Sequence, residues 1–110
     1  MTKITVERKD LLAFLTSFGK GVTDARMSCS GNRLTIEVGF ANYYLRKQMT
    51  GATVDEEGFI HIALLEKAIA YLKASKQDKV SLRQAAETKP LHIEAGGNKL
   101  QLPSTDDILS

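Results

Sequence analysis

The segment Leu34-Thr35-Ile36-Glu37-Val38-Gly39 returns as Leu91-His92-Ile93-Glu94-Ala95-Gly96, so Leu34 and Leu91 stand 57 residues apart and four of the six positions are identical. The same separation maps Leu12-Ala13-Phe14-Leu15 onto Ile69-Ala70-Tyr71-Leu72. A single displacement recurring at two distant places points to a duplicated unit; the alternative is chance likeness between two amphipathic strands and two amphipathic helices. Duplication is a strong constraint, because the supersecondary unit that forms once must form twice, and the two copies must bury their apolar faces together.

Periodicity gives the content of each copy. Lys3 to Val6 and Phe59 to Ile62 are short runs rich in β-branched residues and read as strands. A helix follows each. In the first, Leu11, Leu12, Phe14, Leu15 and Phe18 share one side, leaving Lys9, Ala13, Thr16 and Lys20 opposite, with Gly19 and Gly21 as its end. In the second, from about Ala63 to Ala74, Leu65, Ala68, Ile69 and Leu72 form the apolar stripe, Lys67, Ala70 and Ala74 lie opposite, and Lys73 sits on the flank. Three strands are expected after the first helix, over Ala25 to Ser30, Leu34 to Val38 and Asn42 to Met49, with a turn at Gly31-Asn32-Arg33. Three more follow the second, over Lys79 to Arg83, Leu91 to Glu94 and Lys99 to Leu102, with Gly96-Gly97-Asn98 as the last hairpin turn. The acidic stretch Asp55-Glu56-Glu57-Gly58 reads as a solvated connector. The expectation is an α+β fold of two β-α-β-β-β halves, about 1–54 and 58–104, with about eight strands backing two helices whose outer surfaces face a partner.

Length and composition set the limits. A chain of 110 residues has room for one modest core, so residues 1–110 are expected to form a single domain. No apolar run reaches the roughly 18 residues of a membrane span, and Met1 to Glu7 lacks the apolar stretch of a signal peptide; a cytosolic protein with no membrane partner is expected. The net charge of +2 is too small to argue for nucleic acid by itself.

The residue types that carry chemistry are sparse. A lone Cys29 offers neither an internal disulfide nor a zinc spacing, and reads as a small buried thiol. Strand alternation turns His61 and His92 away from their apolar neighbours, so both read as exposed, and neither has a spaced acidic, cysteine or histidine partner. Gly19-Lys20-Gly21-Val22-Thr23 follows a helix, whereas a phosphate loop precedes one. No metal, no cofactor and no catalytic site is expected.

The opening Ile4-Thr5-Val6-Glu7-Arg8-Lys9-Asp10-Leu11-Leu12 resembles the first strand and helix of a bacterial DNA polymerase processivity clamp domain. The ending Gly97-Asn98-Lys99-Leu100-Gln101-Leu102-Pro103-Ser104-Thr105-Asp106-Asp107 is similar to the last hairpin and connector of such a domain, and the pattern extends over essentially the whole chain. Clamp domains are themselves made of two β-α-β-β-β halves. The resemblance implies a DNA-clamp-like domain. In that family six domains close a ring, and helices present basic side chains to the DNA backbone without reading sequence.

A sliding contact has to be to phosphates, salt-dependent and indifferent to base identity. The segments Glu7 to Lys20 and Glu66 to Lys79 hold seven basic and four acidic residues, a net of +3, while the remainder holds eight basic and nine acidic, a net of −1. Lys9, Lys20, Lys67 and Lys73 are therefore the expected DNA-facing residues; they read equally as ordinary solubilising lysines on exposed helix faces. Subunits of the family carry two or three domains, whereas one is expected here, so a ring would be a homo-oligomer, a hexamer, of the reduced kind a virus or mobile element would encode. The resemblance implies closure by edge strands, with Tyr43, Tyr44 and Leu45 of one copy beside Lys99, Leu100 and Gln101 of the next. Two functions follow: a sliding-clamp-like tethering factor on duplex DNA that serves replication or repair proteins, or a non-enzymatic module that binds or inhibits a replication protein.

Overall fold

The alternation expected of half-buried strands is present in most strands of a computed structural model that describes residues 1–17, 22, 24–39 and 44–103. The described elements are β1 (Thr2–Glu7), α1 (Arg8–Thr16), β2 (Ala25–Ser30), β3 (Arg33–Gly39), β4 (Tyr44–Thr50), β5 (Thr53–Glu56), β6 (Gly58–Ile62), α2 (Leu65–Ala74), β7 (Lys79–Gln84), β8 (Leu91–Ala95) and β9 (Asn98–Leu102). Ile4 and Val6, Ala25, Met27 and Cys29, Leu34 and Ile36, Val80 and Leu82, and Leu91 and Ile93 are buried at every second position. Together with Leu11 and Leu15 of α1 and Leu65, Ala68 and Leu72 of α2 they form one continuous hydrophobic cluster. The repeat is real at the level of packing: Leu15 and Leu72, Leu34 and Leu91, and Ile36 and Ile93, each 57 apart, are all buried.

The strands form a five-stranded sheet of order β5-β1-β7-β8-β9 and a four-stranded sheet of order β4-β3-β2-β6. Each half thus gives its first strand to the other half's sheet. β1 pairs antiparallel with β7, with Ile4 opposite Leu82, and β6 pairs antiparallel with β2, with Ile60 opposite Met27. Neither half can complete a sheet alone, and α1 packs directly against α2.

Two expectations need correction. The acidic connector is largely strand: Asp55 and Glu56 belong to β5, Glu57 alone separates it from β6, and Gly58 begins β6. That raises the described strands from eight to nine. The physical reason is that the outer edge of β1 has backbone groups to satisfy, and β5 covers them through the pairs Lys3–Glu56, Ile4–Val54 and Thr5–Thr53. The acidic side chains are tolerated because β5 is an edge strand. Gly58 passes so close to Thr2 that a Cβ there would collide with the threonine hydroxyl, and its φ of +151° is itself unsuited to a side chain.

The second correction concerns helix ends. α1 ends at Thr16, before Gly19 and Gly21, which lie outside the described residues. The last carbonyls are met by hydroxyls: Thr16 Oγ1 donates to Leu12 O and Ser17 Oγ to Phe14 O, at 2.9 and 2.7 Å. A cation meets each C-terminus, where the helix dipole is negative. Lys47 Nζ reaches Ser17 O at 3.0 Å, and Arg8 Nη1 reaches Leu72 O at 3.0 Å while its Nε donates to Gln77 O at 2.8 Å. α2 starts at Leu65, two residues later than its periodicity suggests.

Candidate nucleic-acid interface and free strand edges

α1 buries Leu11 and Leu15 and half-buries Leu12 and Phe14, which leaves Lys9, Asp10, Ala13 and Thr16 exposed. α2 buries Leu65, Ala68 and Leu72 and leaves Glu66, Lys67, Ala70, Lys73 and Ala74 exposed. Lys9, Lys67 and Lys73 are therefore on outer surfaces of two adjacent helices, and none takes part in a salt bridge among the described residues; Lys20 lies outside them. The surface is chemically plain. Its exposed side chains are short or charged, and no Asn, Gln or aromatic residue of the kind that reads base edges or stacks on them stands among them.

The strand arginines behave differently. Arg26 Nε lies 2.6 Å from Glu87, Arg83 Nη2 3.5 Å from Glu94, and Arg46 Nε 3.8 Å from Glu37, while the Arg26 guanidinium also stacks 4.0 Å from the centre of the Phe59 ring. The glutamate hydrogen bond holds the Arg26 pKa above its usual value. Three of the four strand arginines thus stand beside a glutamate.

Strand order identifies the sheet edges: β4 and β6 bound the four-stranded sheet, and β5 and β9 the five-stranded one. Tyr44 and Leu45 open β4, paired with Gly39 and Val38, and Tyr43 lies outside the described residues. On β9, Lys99 and Gln101 are exposed, whereas Leu100 is half-buried opposite Ile93 and packs on the core. Within one copy the described members of the two groups stand on different sheets.

β6, the other edge of the four-stranded sheet, is not open. Gln84 of β7, 1% exposed, accepts from the His61 backbone N–H at Oε1, 2.8 Å away, and donates from Nε2 to His61 O at 3.1 Å and Lys89 O at 2.8 Å. One side-chain amide thus stands in for a strand residue. Its only sequence signal is a glutamine at the buried position that follows Val80 and Leu82 in the alternation of β7.

The histidines also need correction. His61 is not an exposed residue without an acidic partner: its side chain is 17% exposed and its Nε2 lies 3.0 Å from Asp24 Oδ2. The two residues are 37 apart in sequence, so nothing local signals the contact. His92 is half-buried. Burial pushes the Cys29 thiol from 9.0 up to about 12, which keeps it protonated and unreactive at neutral pH. No group of three or more His, Cys, Asp or Glu side chains among the described residues converges on a point that could hold a metal. No helix among them is long and apolar enough to cross a membrane.

No family model matches the chain, and no curated protein does. Solved structures do. The C. crescentus beta sliding clamp superposes with a TM-score of 0.78 at 21% identity, over 96% of this chain and 31% of that one. The DNA polymerase III subunit beta sliding clamp of Bartonella birtlesii LL-WM9 gives 0.79 at 14%, over 93% and 31%, and the DNA polymerase III beta subunit of Thermotoga maritima 0.78 at 17%, over 93% and 30%. The chain has the sliding-clamp domain fold and spans about a third of the length of these proteins.

Proposed function

We propose that residues 1–110 form one module of two half-repeats, about 1–54 and 58–104, in a DNA-tethering clamp. Copies of the module assemble head to tail into a ring around duplex DNA, with α1 and α2 turned inward. The observation that carries this reading is the pair of adjacent helices whose exposed sides hold Lys9, Lys67 and Lys73 among alanines, with nothing to read bases. Lys20 completes the proposed DNA-facing set. Such a surface contacts phosphates only, as sliding requires. The seam is proposed between Tyr43, Tyr44 and Leu45 of one copy and Lys99, Leu100 and Gln101 of the next, joining β4 to β9. A module of this kind binds and orients; the reading includes no catalytic step, and it places the protein with replication or repair partners in the cytoplasm.

The deciding experiment is the solution mass by light scattering over a range of protein concentrations, followed by retention on closed circular against linear DNA. About six subunits and slower loss from circles support the ring. A monomer or dimer at every concentration refutes it.

One observation favours a second reading. β4 contains Arg46 and Lys47, β9 contains Lys99, and neither strand contains an acid, so a self-made seam places like charges near each other. A chain that does not close on itself would act as a protein-binding module that engages or inhibits a replication protein, and a one-to-one complex with such a protein in the absence of DNA association would support that reading.

A further inference from the structure

A concavity of about 280 Å³ lies on the four-stranded sheet where β2 turns into β3, and Ser28, Ser30, Gly31, Asn32, Arg33 and Thr35 line it. Ser28 is the direct cross-strand partner of Thr35, and Ser30 of Arg33. The residues between them, Cys29 and Leu34, are buried in the core, so these four side chains form one block on the face turned away from it. Thr35 is 7% exposed, yet its hydroxyl makes no hydrogen bond to another described residue. A polar group so nearly enclosed is ordinarily satisfied. No described side-chain oxygen or nitrogen that is shut off from solvent lacks a partner, so the Thr35 hydroxyl opens into the concavity that it lines. The Ser28 hydroxyl is likewise unpartnered among the described residues. Arg33 is the strand arginine without a glutamate beside it, since Arg26, Arg46 and Arg83 hold theirs. The turn itself is braced: the Ser30 hydroxyl and the Gly31 N–H donate to the Glu57 carboxylate at 2.7 and 3.0 Å. Those two bonds hold the Glu57 pKa below its usual value.

We propose that this concavity binds a phosphate group carried by a small ligand. The Arg33 guanidinium would supply a planar fork to two of its oxygens, and the Ser28 and Thr35 hydroxyls and the Asn32 amide would donate to the others. The lining contains no carboxylate and no hydrophobic residue, so its chemistry selects a compact anion over an apolar ligand. A nucleic-acid backbone needs a run of cations, whereas the neighbouring arginines of this face, Arg26 and Arg46, are paired with Glu87 and Glu37. One phosphate is therefore what the face accommodates. The site shares no residue with the helix faces or with the β4 and β9 edges, so it stands or falls independently of the ring.

The test is an NMR titration of the isotope-labelled full chain with methyl phosphate at constant ionic strength, read at the Asn32 side-chain amide and the Gly31 N–H. Saturable shifts are expected. Arg33→Met should weaken binding about tenfold or more, as for the loss of a charge-assisted contact. Thr35→Val should weaken it severalfold while leaving the urea midpoint unchanged or raised, because the hydroxyl it removes bonds to nothing in the folded chain. Glu57→Gln, which keeps an oxygen for Ser30 and Gly31 but removes the negative charge, should tighten it. Shifts that grow without saturating, equal binding by Thr35→Val, or equal shifts with glycerol in place of methyl phosphate overturn the proposal. A short duplex DNA that displaces methyl phosphate at equal phosphate concentration would assign the site to a nucleic-acid backbone and overturn the small-ligand assignment.

Discussion

The Gln84 side-chain amide accepts from the backbone N–H of His61 and donates to its carbonyl, at 2.8 and 3.1 Å, and so seals the edge of one sheet from a strand of the other. Both His61 backbone groups point away from β2, and no further strand covers them. Gln84→Ala would leave two backbone groups unpaired in a part-buried site, release the Lys89 carbonyl and open a cavity. A loss of about 2–4 kcal/mol is expected from these combined effects, read as a lower urea midpoint with an unchanged slope. A loss under about 0.5 kcal/mol would mean that water replaces the amide at no cost.

Arg8 and Lys9 are sequence neighbours with opposite roles. The Arg8 guanidinium ties the start of α1 to the end of α2 through Leu72 O and Gln77 O, whereas Lys9 is exposed and in no salt bridge among the described residues. Arg8→Ala should cost about 1–3 kcal/mol, the range for hydrogen bonds made by a charged group at a helix C-terminus. Lys9→Ala should stay within about 0.5 kcal/mol. Thermal melts of the two variants, run side by side, distinguish a structural cation from one free for a ligand.

Cys29 predicts an alkaline limit. Its folded thiol titrates at about 12 against an ordinary 9.0, so the unfolded chain loses its proton first as pH rises. The contribution of the protonated thiol is fully present below about 9 and is lost between 9 and 12, with a slope approaching about 1.4 kcal/mol per pH unit in that window. Cys29→Ala should remove this slope at the cost of a small cavity. Urea unfolding at pH 7.5, 9 and 10 checks it: parallel declines in the parent chain and the variant would show that other groups govern alkaline stability.

Replacing Lys9, Lys20, Lys67 and Lys73 together by alanine should leave the urea midpoint almost unchanged and weaken DNA retention. Each phosphate contact contributes about 0.9 to the slope of log affinity against log salt. The slope should therefore shrink by up to ~3.6 if all four lysines reach phosphates. An unchanged slope would remove the helices from the DNA interface.

The repeat makes the two halves legible because Leu34 and Ile36, like Leu91 and Ile93, alternate with polar residues and are buried where expected. The helix stripes are legible for the same reason, through Leu11 and Leu15 and through Leu65 and Leu72. The exchange of first strands is not, since the alternation of Ile4 and Val6 fits either sheet and only pairing with β7 decides it. Composition misleads at β5, where Asp55 and Glu56 look like loop residues and an edge strand accepts them. The contacts Gln84–His61 and Asp24–His61 join residues 23 and 37 positions apart, and no local pattern encodes them. The candidate interface is legible only as a set of exposed helix positions; strand order puts β4, β5, β6 and β9 at sheet edges, and the Gln84 amide closes β6 at His61.

Arg46 and Lys47 on β4 and Lys99 on β9 give the two parts of the proposed function opposite responses to salt. Closure of a β4–β9 seam brings like charges together, and screening relieves this as the Debye length falls from about 10 Å at 0.1 M to about 3 Å at 1 M. Lysine contacts to DNA phosphates weaken over the same range. Sedimentation at 0.05, 0.2 and 0.5 M NaCl should therefore show assembly rising with salt while DNA retention falls, and a Lys99→Glu variant should assemble better than the parent at low salt. If assembly falls with salt instead, the edges that meet carry opposite charges, and among the described strands the edge that supplies acids is β5, through Asp55 and Glu56. That outcome would move the seam from β4 to β5 while leaving the helix lysines in place.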